Sequence, residues 1–208
     1  MFCVFTMTER WTMRLTKMAI RFLVFIGVAM LSTPALATTV LEQTFPDLVH
    51  QAEVIAVGTV TGIQEQWDAA RQAPVTNVTF SQLTVLKGDP GTESITLEFL
   101  GGHMPDGMVL AIAGVPHFTM GEKTLVFCAG NHRDFCPLVG VWQGLLRVAF
   151  DPQRGVETVS DNFRVPIVSV QDGRFLKQES ESPTQESLLL TTLLDLIQQE
   201  MRSPYGQP

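Results

Sequence analysis

The sequence predicts a mainly β protein: a small closed or partly open OB-like antiparallel barrel of five or more strands, with a short N-terminal helix and a C-terminal amphipathic helix. Three observations carry this. Strand-like runs at Glu53–Ile63, Thr76–Leu86 and Ser94–Leu100 follow one another in the chain. Dense turn chemistry separates them, with Lys87-Gly88-Asp89-Pro90-Gly91 after the second run and Gly101-Gly102 after the third. The apolar period then changes from two to 3.6 only at the far C-terminus.

The N-terminus reads as a secretory signal peptide, Met1–Ala37. Arg14, Lys17 and Arg21 form its basic region, Phe22–Leu31 its apolar core, and Ala35-Leu36-Ala37 a small-x-small cleavage site before Thr38. The apolar run is shorter than the ~20 residues a membrane span needs. Translation starting at Met13 would give the same signal. The mature chain is then expected at Thr38–Pro208, periplasmic or secreted, without a stable membrane anchor. Its 14 basic residues fall to 10 with Arg10, Arg14, Lys17 and Arg21 gone, and its 21 acidic ones to 20 with Glu9 gone, a net charge of about −10. Such a surface disfavours nucleic acid, whose phosphates need Lys and Arg.

In the mature chain, Thr44 is placed to cap one or two helical turns over Phe45–Ala52, with Pro46 early and Leu48, Val49 and Ala52 on one face. Val54–Ile63 is apolar on both parities, as expected of a strand buried on both faces. Gln64–Pro74 reads as a polar loop holding Trp67. Along the second strand Val78 and Phe80 share one parity, and Leu83 and Val85 the other, so a bulge near Ser81-Gln82 is expected. The third strand alternates, with Ile95, Leu97 and Phe99 inward and Thr96 and Glu98 outward.

Met108–Ala113 and Lys123–Cys128 are further apolar runs. Pro137–Phe150 reads as one long strand with Leu138, Trp142, Leu146, Val148 and Phe150 on one face. Val156–Val159 and Arg164–Val170 are weaker strands around an Asp161-Asn162 turn. The barrel domain is expected to span 38–176, followed over 177–208 by a linker, helix and tail. Ser182-Pro183-Thr184-Gln185 has the form of a capping box. Leu189, Leu193, Leu196, Ile197 and Met201 then recur at helical spacing, a face expected to pack on the barrel and cover an end or edge.

Several segments together resemble a group of small exported bacterial proteins: Ala52–Val60, Val85-Leu86-Lys87-Gly88, Gly101-Gly102, Gly121–Phe127, and Val139-Gly140-Val141-Trp142-Gln143-Gly144. Their strand pattern is similar to the OB-fold barrels of netrin-like domains and tissue inhibitors of metalloproteinases. The resemblance covers roughly Thr44–Phe150 and implies a non-catalytic domain. In those inhibitors a mature N-terminal cysteine chelates the target's zinc. Here the expected N-terminus is Thr38, so no inhibitory residue is carried over.

Two cysteines remain after cleavage. Cys128 and Cys136 flank a hairpin tip centred on His132, which would set them opposite each other. In an oxidising compartment a disulfide is expected, worth roughly 2–3 kcal/mol for so short a loop. Two unpaired small hydrophobes are the alternative. A Cys128–His132 nucleophile and base pair is disfavoured beside a second cysteine.

No metal-ligand, esterase or phosphate-loop motif occurs, and no cofactor is expected. Gly101 and Gly102 read as a positive-φ turn. The expected role is an exported interaction domain whose partner is a protein, with an extracellular or periplasmic protease as the named candidate. Its binding surface is sought among Trp67, Gly101, Gly102, His103, Trp142 and Gln143, with the loops Gln64–Pro74 and His103–Gly107 as a rim. An oligosaccharide- or envelope-binding module is the second reading, favoured if Trp67 or Trp142 is exposed beside polar groups. A metal-dependent enzyme using His103 and His117 is the third, with Asp106 or Glu122 as an oxygen ligand.

Overall fold

The structure is a computed structural model that describes residues 41–178 and 186–204. The signal peptide, the Ala37–Thr38 cleavage site and the Ser182–Gln185 capping box lie outside the described residues. A six-stranded antiparallel sheet dominates, ordered β3-β2-β1-β6-β7-β8. Its strands are β1 (Val54–Asp68), β2 (Ala73–Lys87), β3 (Ile95–Leu100), β6 (Lys123–Cys128), β7 (Leu145–Asp151) and β8 (Val156–Ser160). Two-stranded sheets add β4 (Gly102–His103) with β5 (Val109–Leu110), and β9 (Ile167–Gln171) with β10 (Arg174–Lys177).

Helix α1 (Phe45–Gln51) starts as its sequence requires. The Thr44 hydroxyl oxygen accepts from the Asp47 N–H at 3.2 Å, and Asp47 Oδ2 accepts from the Thr44 N–H at 3.0 Å. Its C-terminal carbonyls are capped from the sheet, since Lys87 Nζ donates to Val49 and His50 at 2.8 and 2.9 Å.

The sheet is buried on both faces, and β1 is where the two cores meet. Ile55 and Val57 face an outer core with Leu125, Phe127, Leu146, α1 and α2 (Leu190–Arg202). Val60 faces an inner core with Val78, Phe80, Leu97, Phe99, Val126 and Leu145. The expected bulge is present. Val57 pairs with Thr84 and Thr59 with Ser81, leaving Gln82 and Leu83 opposite Gly58, with Gln82 at φ +55°. The shift turns Leu83 toward the inner core beside Phe80, but Val85 stays 39% exposed.

Such bulges curl the sheet. The curl brings β3 to the loop after β6, yet no strand ladder closes the gap. Of the closed or partly open barrel expected, the mainly β antiparallel character holds, and full closure is corrected to an open sheet with a seam. Leu100 N–H donates to Phe135 O at 2.8 Å, Glu98 N–H to Asn131 Oδ1 at 3.0 Å, and Asn131 Nδ2 to Thr96 O at 2.8 Å. A cavity of about 360 Å3 opens along this seam between Ile95, Leu97, Cys128 and Asn131.

Other boundaries differ for physical reasons. Gln64–Pro74 is mostly strand, because the β1–β2 ladder continues to Asp68 opposite Ala73 and leaves only a tight turn. Pro137–Phe150 is interrupted by a 3-10 helix, Val141–Gly144, after Gly140 and Val141 both take φ near +62°. Of Met108–Ala113 only Val109 and Leu110 pair. Glu98 is buried, since Arg71 from the β1–β2 turn reaches its carboxylate at 2.7 Å. Helix α2 begins at Leu190. Ahead of it, Leu188 covers the free edge of β8, accepting the Val159 N–H at 3.1 Å and donating to Ile167 O at 2.7 Å.

A buried ion pair ties β7 to the start of β6. Arg147 Nη1 lies 2.5 Å from Glu122 Oε1, with the two side chains 7% and 10% exposed. Arg147 also donates to the carbonyls of Asn162 and His117, each at 2.9 Å. Replacing Arg147 by alanine removes the buried partner of Glu122, leaving it only the exposed Arg164, and should cost about 3–5 kcal/mol. Arg164→Ala removes only an exposed partner of the same carboxylate and should cost less than about 1 kcal/mol. Urea unfolding of the two variants checks the contrast.

Candidate functional site

Three of the sequence-derived site residues gather at one end of the inner core. Gly101 and Gly102 carry φ of +124° and +131°, the glycine turn the sequence implies. They let the chain leave β3 and fold back against the β1–β2 hairpin. Gly101 N–H donates to Pro74 O at 2.9 Å, and the Thr76 hydroxyl donates to Gly101 O at 2.8 Å. A side chain at Gly102 would meet Thr76 and Glu65 within 3.4 Å.

His103 follows directly and is fastened to Glu65 of β1. Its N–H donates to Glu65 Oε2 at 3.0 Å, and its ring Nδ1 lies 2.5 Å from the same oxygen. Hydrogen bonding from the His103 ring, then from its backbone N–H, holds the Glu65 carboxyl below its ordinary 4.5. The β4–β5 hairpin is thereby strapped across the hairpin beneath it.

Between this strap and the sheet is a cavity of about 240 Å3. Val78 and Phe99 form its buried floor, and Val115 and Phe118 one wall. Ile63 and Val109 stand at its rim, 36% and 59% exposed, with Met108 beside Val109 at 60%. Glu65 and His117 are its ionisable lining residues. The mouth is thus apolar, partly open and edged by a carboxylate.

Trp142 and Gln143 lie elsewhere, on the 3-10 helix beside a cavity of about 280 Å3. Trp142 is half-buried, its ring 6.3 Å from that of Phe163. A Cβ on Gly114, at φ +89°, would fall 2.6 Å from the Trp142 ring, so glycine is needed there. Gln143 fastens the segment before α1: its Oε1 accepts the Gln43 N–H at 2.7 Å, and its Nε2 donates to Leu41 O at 2.8 Å. Nearby Asp161 accepts from the Phe163 and Val165 N–H groups and from Lys177. Trp67 is 38% exposed on β1, opposite Pro74. The candidates therefore divide among separate places.

The histidines form no ligand set. His103 pairs with Glu65, His132 sits 3.5 Å from Glu98, and His50 sits 3.2 Å from Glu200. Among the described residues no three His, Cys, Asp or Glu side chains gather as metal ligands. Cys128 and Cys136 are free thiols, both buried in the inner core. Burial, chiefly, pushes both upward, Cys136 to about 12 and Cys128 beyond it, so neither is an activated nucleophile. The expected turn is also too small. Cys128 bridges Leu138 rather than Cys136, because the loop is two residues wider.

Sequence reasoning missed Glu65, the partner of His103, and the exposed pair Met108 and Val109. The signal for Glu65 was weak, a carboxylate in a polar stretch. Met108 and Val109 read in the sequence only as part of the apolar run Met108–Ala113, since apolar character alone does not distinguish rim from core. No protein-family model, curated protein or solved structure matches this chain.

The Glu65 contact is testable by carbon-detected NMR titration. Its carboxyl should titrate below 4.5, and His103→Ala should move it back toward that value. Because the folded-state value is depressed, this contact favours the folded strap above about pH 4.5 and is lost as pH falls through the folded value.

Proposed function

We propose that the chain is an exported, non-catalytic interaction domain that takes an apolar segment of a partner protein at the mouth of its inner core. One observation carries this reading: Ile63 and Val109 are exposed at the rim of a partly open cavity floored by Val78 and Phe99, with Met108 exposed next to Val109. Exposed apolar groups that line a concavity cost solubility unless something covers them. The candidate partner is another exported protein, with a protease as the first class to examine. The curled β1–β2–β3 sheet, with its seam covered by the loop after β6, supports an OB-like reading of the fold. In small barrels of that kind ligands sit on a strand face and its adjoining loops.

An oligosaccharide- or envelope-binding module is the second reading, favoured by half-buried Trp142 beside polar groups at its cavity. It is weaker because Gln143 and Asp161 are already committed to backbone groups within the chain. The metal-dependent reading lacks a ligand set among the described residues.

The test is affinity capture from the exported fraction of the native host after crosslinking, with identification by mass spectrometry. One retained protein, displaced by untagged domain, is expected. Met108→Asp with Val109→Asp should reduce its retention by about tenfold or more with the circular dichroism spectrum unchanged. A background-only capture, or undiminished retention by the double variant, overturns this reading. Quenching of tryptophan emission by oligosaccharides would then favour the second.

A further inference from the structure

We propose that Cys128 and Cys136 form a disulfide that fixes the seam loop across the free edge of β3. Both side chains point into the inner core. Cys128 faces Leu138 across an antiparallel bridge, and Cys136 lies two residues before Leu138 in the chain. The two thiols share the same buried cluster, and to bond, each Cβ must draw in to the ~3.5–4.5 Å that a disulfide spans. The segment between them would have to make that movement. It belongs to no strand and turns at Gly130, where φ is +69° and the Arg133 and Asp134 N–H groups both return to the Gly130 carbonyl at 2.9 Å.

The same segment holds the seam. The Phe135 carbonyl accepts the Leu100 N–H, a backbone hydrogen bond across the gap, and Phe135 directly precedes Cys136. A covalent tie at Cys136 would therefore restrict the residue that meets β3. It would do so from within the inner core.

Burial also dictates when the bond forms. In the folded chain both thiols stay protonated at neutral pH, and the thiolate is the attacking species. Formation therefore precedes closure of the inner core. One cysteine thiolate attacks a small-molecule disulfide such as oxidised glutathione, and one thiol of the donor leaves. The second cysteine, as thiolate, then displaces the other half of the donor. The protein loses two protons and two electrons, and the donor departs as two thiols.

The test uses the purified chain carrying Cys3→Ser, refolded in a glutathione redox buffer, against the same chain kept reduced. Trypsin cuts after Arg133, so Thr124–Arg133 and Asp134–Arg147 remain joined only through the proposed bond. A linked pair of peptides is expected, with a melting temperature about 5–10 °C above the reduced form and slower amide exchange at Leu100. In Cys136→Ala both differences between oxidising and reducing conditions should vanish. The folded reduced chain should oxidise far more slowly than the refolding one. Two free thiols, or separate glutathione adducts, after oxidative refolding would overturn the bond. A bond with unchanged Leu100 exchange would overturn its role at the seam.

Discussion

Burial of β1 on both faces is the constraint from which the rest of the fold follows. A strand whose successive side chains enter different cores needs cover above and below. Helices α1 and α2 and the β9–β10 hairpin supply one side, where Phe45 meets Phe175 edge-on at 5.6 Å between ring centroids. The sheet itself supplies the other, by curling until β3 approaches the loop after β6. The bulge at Gln82 is what lets this happen, because a regular ladder would have sent Leu83 away from Phe80. The seam, the strap at His103 and the mouth above Phe99 are all results of that curl.

Much of this was readable in the chain because it depends on local chemistry. The two-faced apolar pattern of Val54–Val60, the parity break at Ser81-Gln82, the Thr44 cap and the Gly101-Gly102 turn are each determined by a few neighbouring residues. What could not be read depends on distant partners. Glu98 looks like an outward carboxylate until Arg71 covers it. Trp142 looks like a strand residue until Gly114 makes room for its ring. The histidines sit in separate contacts that spacing cannot reveal. The exposed rim was hidden for a simpler reason: Met108 and Val109 have the composition of a core strand, and their exposure follows from a strap only two residues wide.

The segments that carry the family resemblance turn out to be joints. Lys87 caps α1, and Gly88 passes so near Glu53 that a Cβ would lie 2.3 Å from its carbonyl oxygen. Gly121-Glu122 bonds back to Val60 through two backbone hydrogen bonds and offers its carboxylate to Arg147. Gly144 packs against the backbone of Val139, where a Cβ would meet the carbonyl at 2.7 Å. Residues of this kind specify how strands and turns meet. They say little about what the molecule binds, and for that reason the functional reading rests on the rim.

The place of α2 in the chain has its own consequence. Leu190, Leu193 and Ile197 complete the outer core, yet they follow every described strand of the sheet in the chain. Until they arrive, the sheet has one face finished and the other, with Phe127 and Leu146, uncovered. A nascent chain therefore carries a half-built molecule for most of its synthesis, and its apolar side is open to other chains throughout that interval. Completion of that face waits for α2.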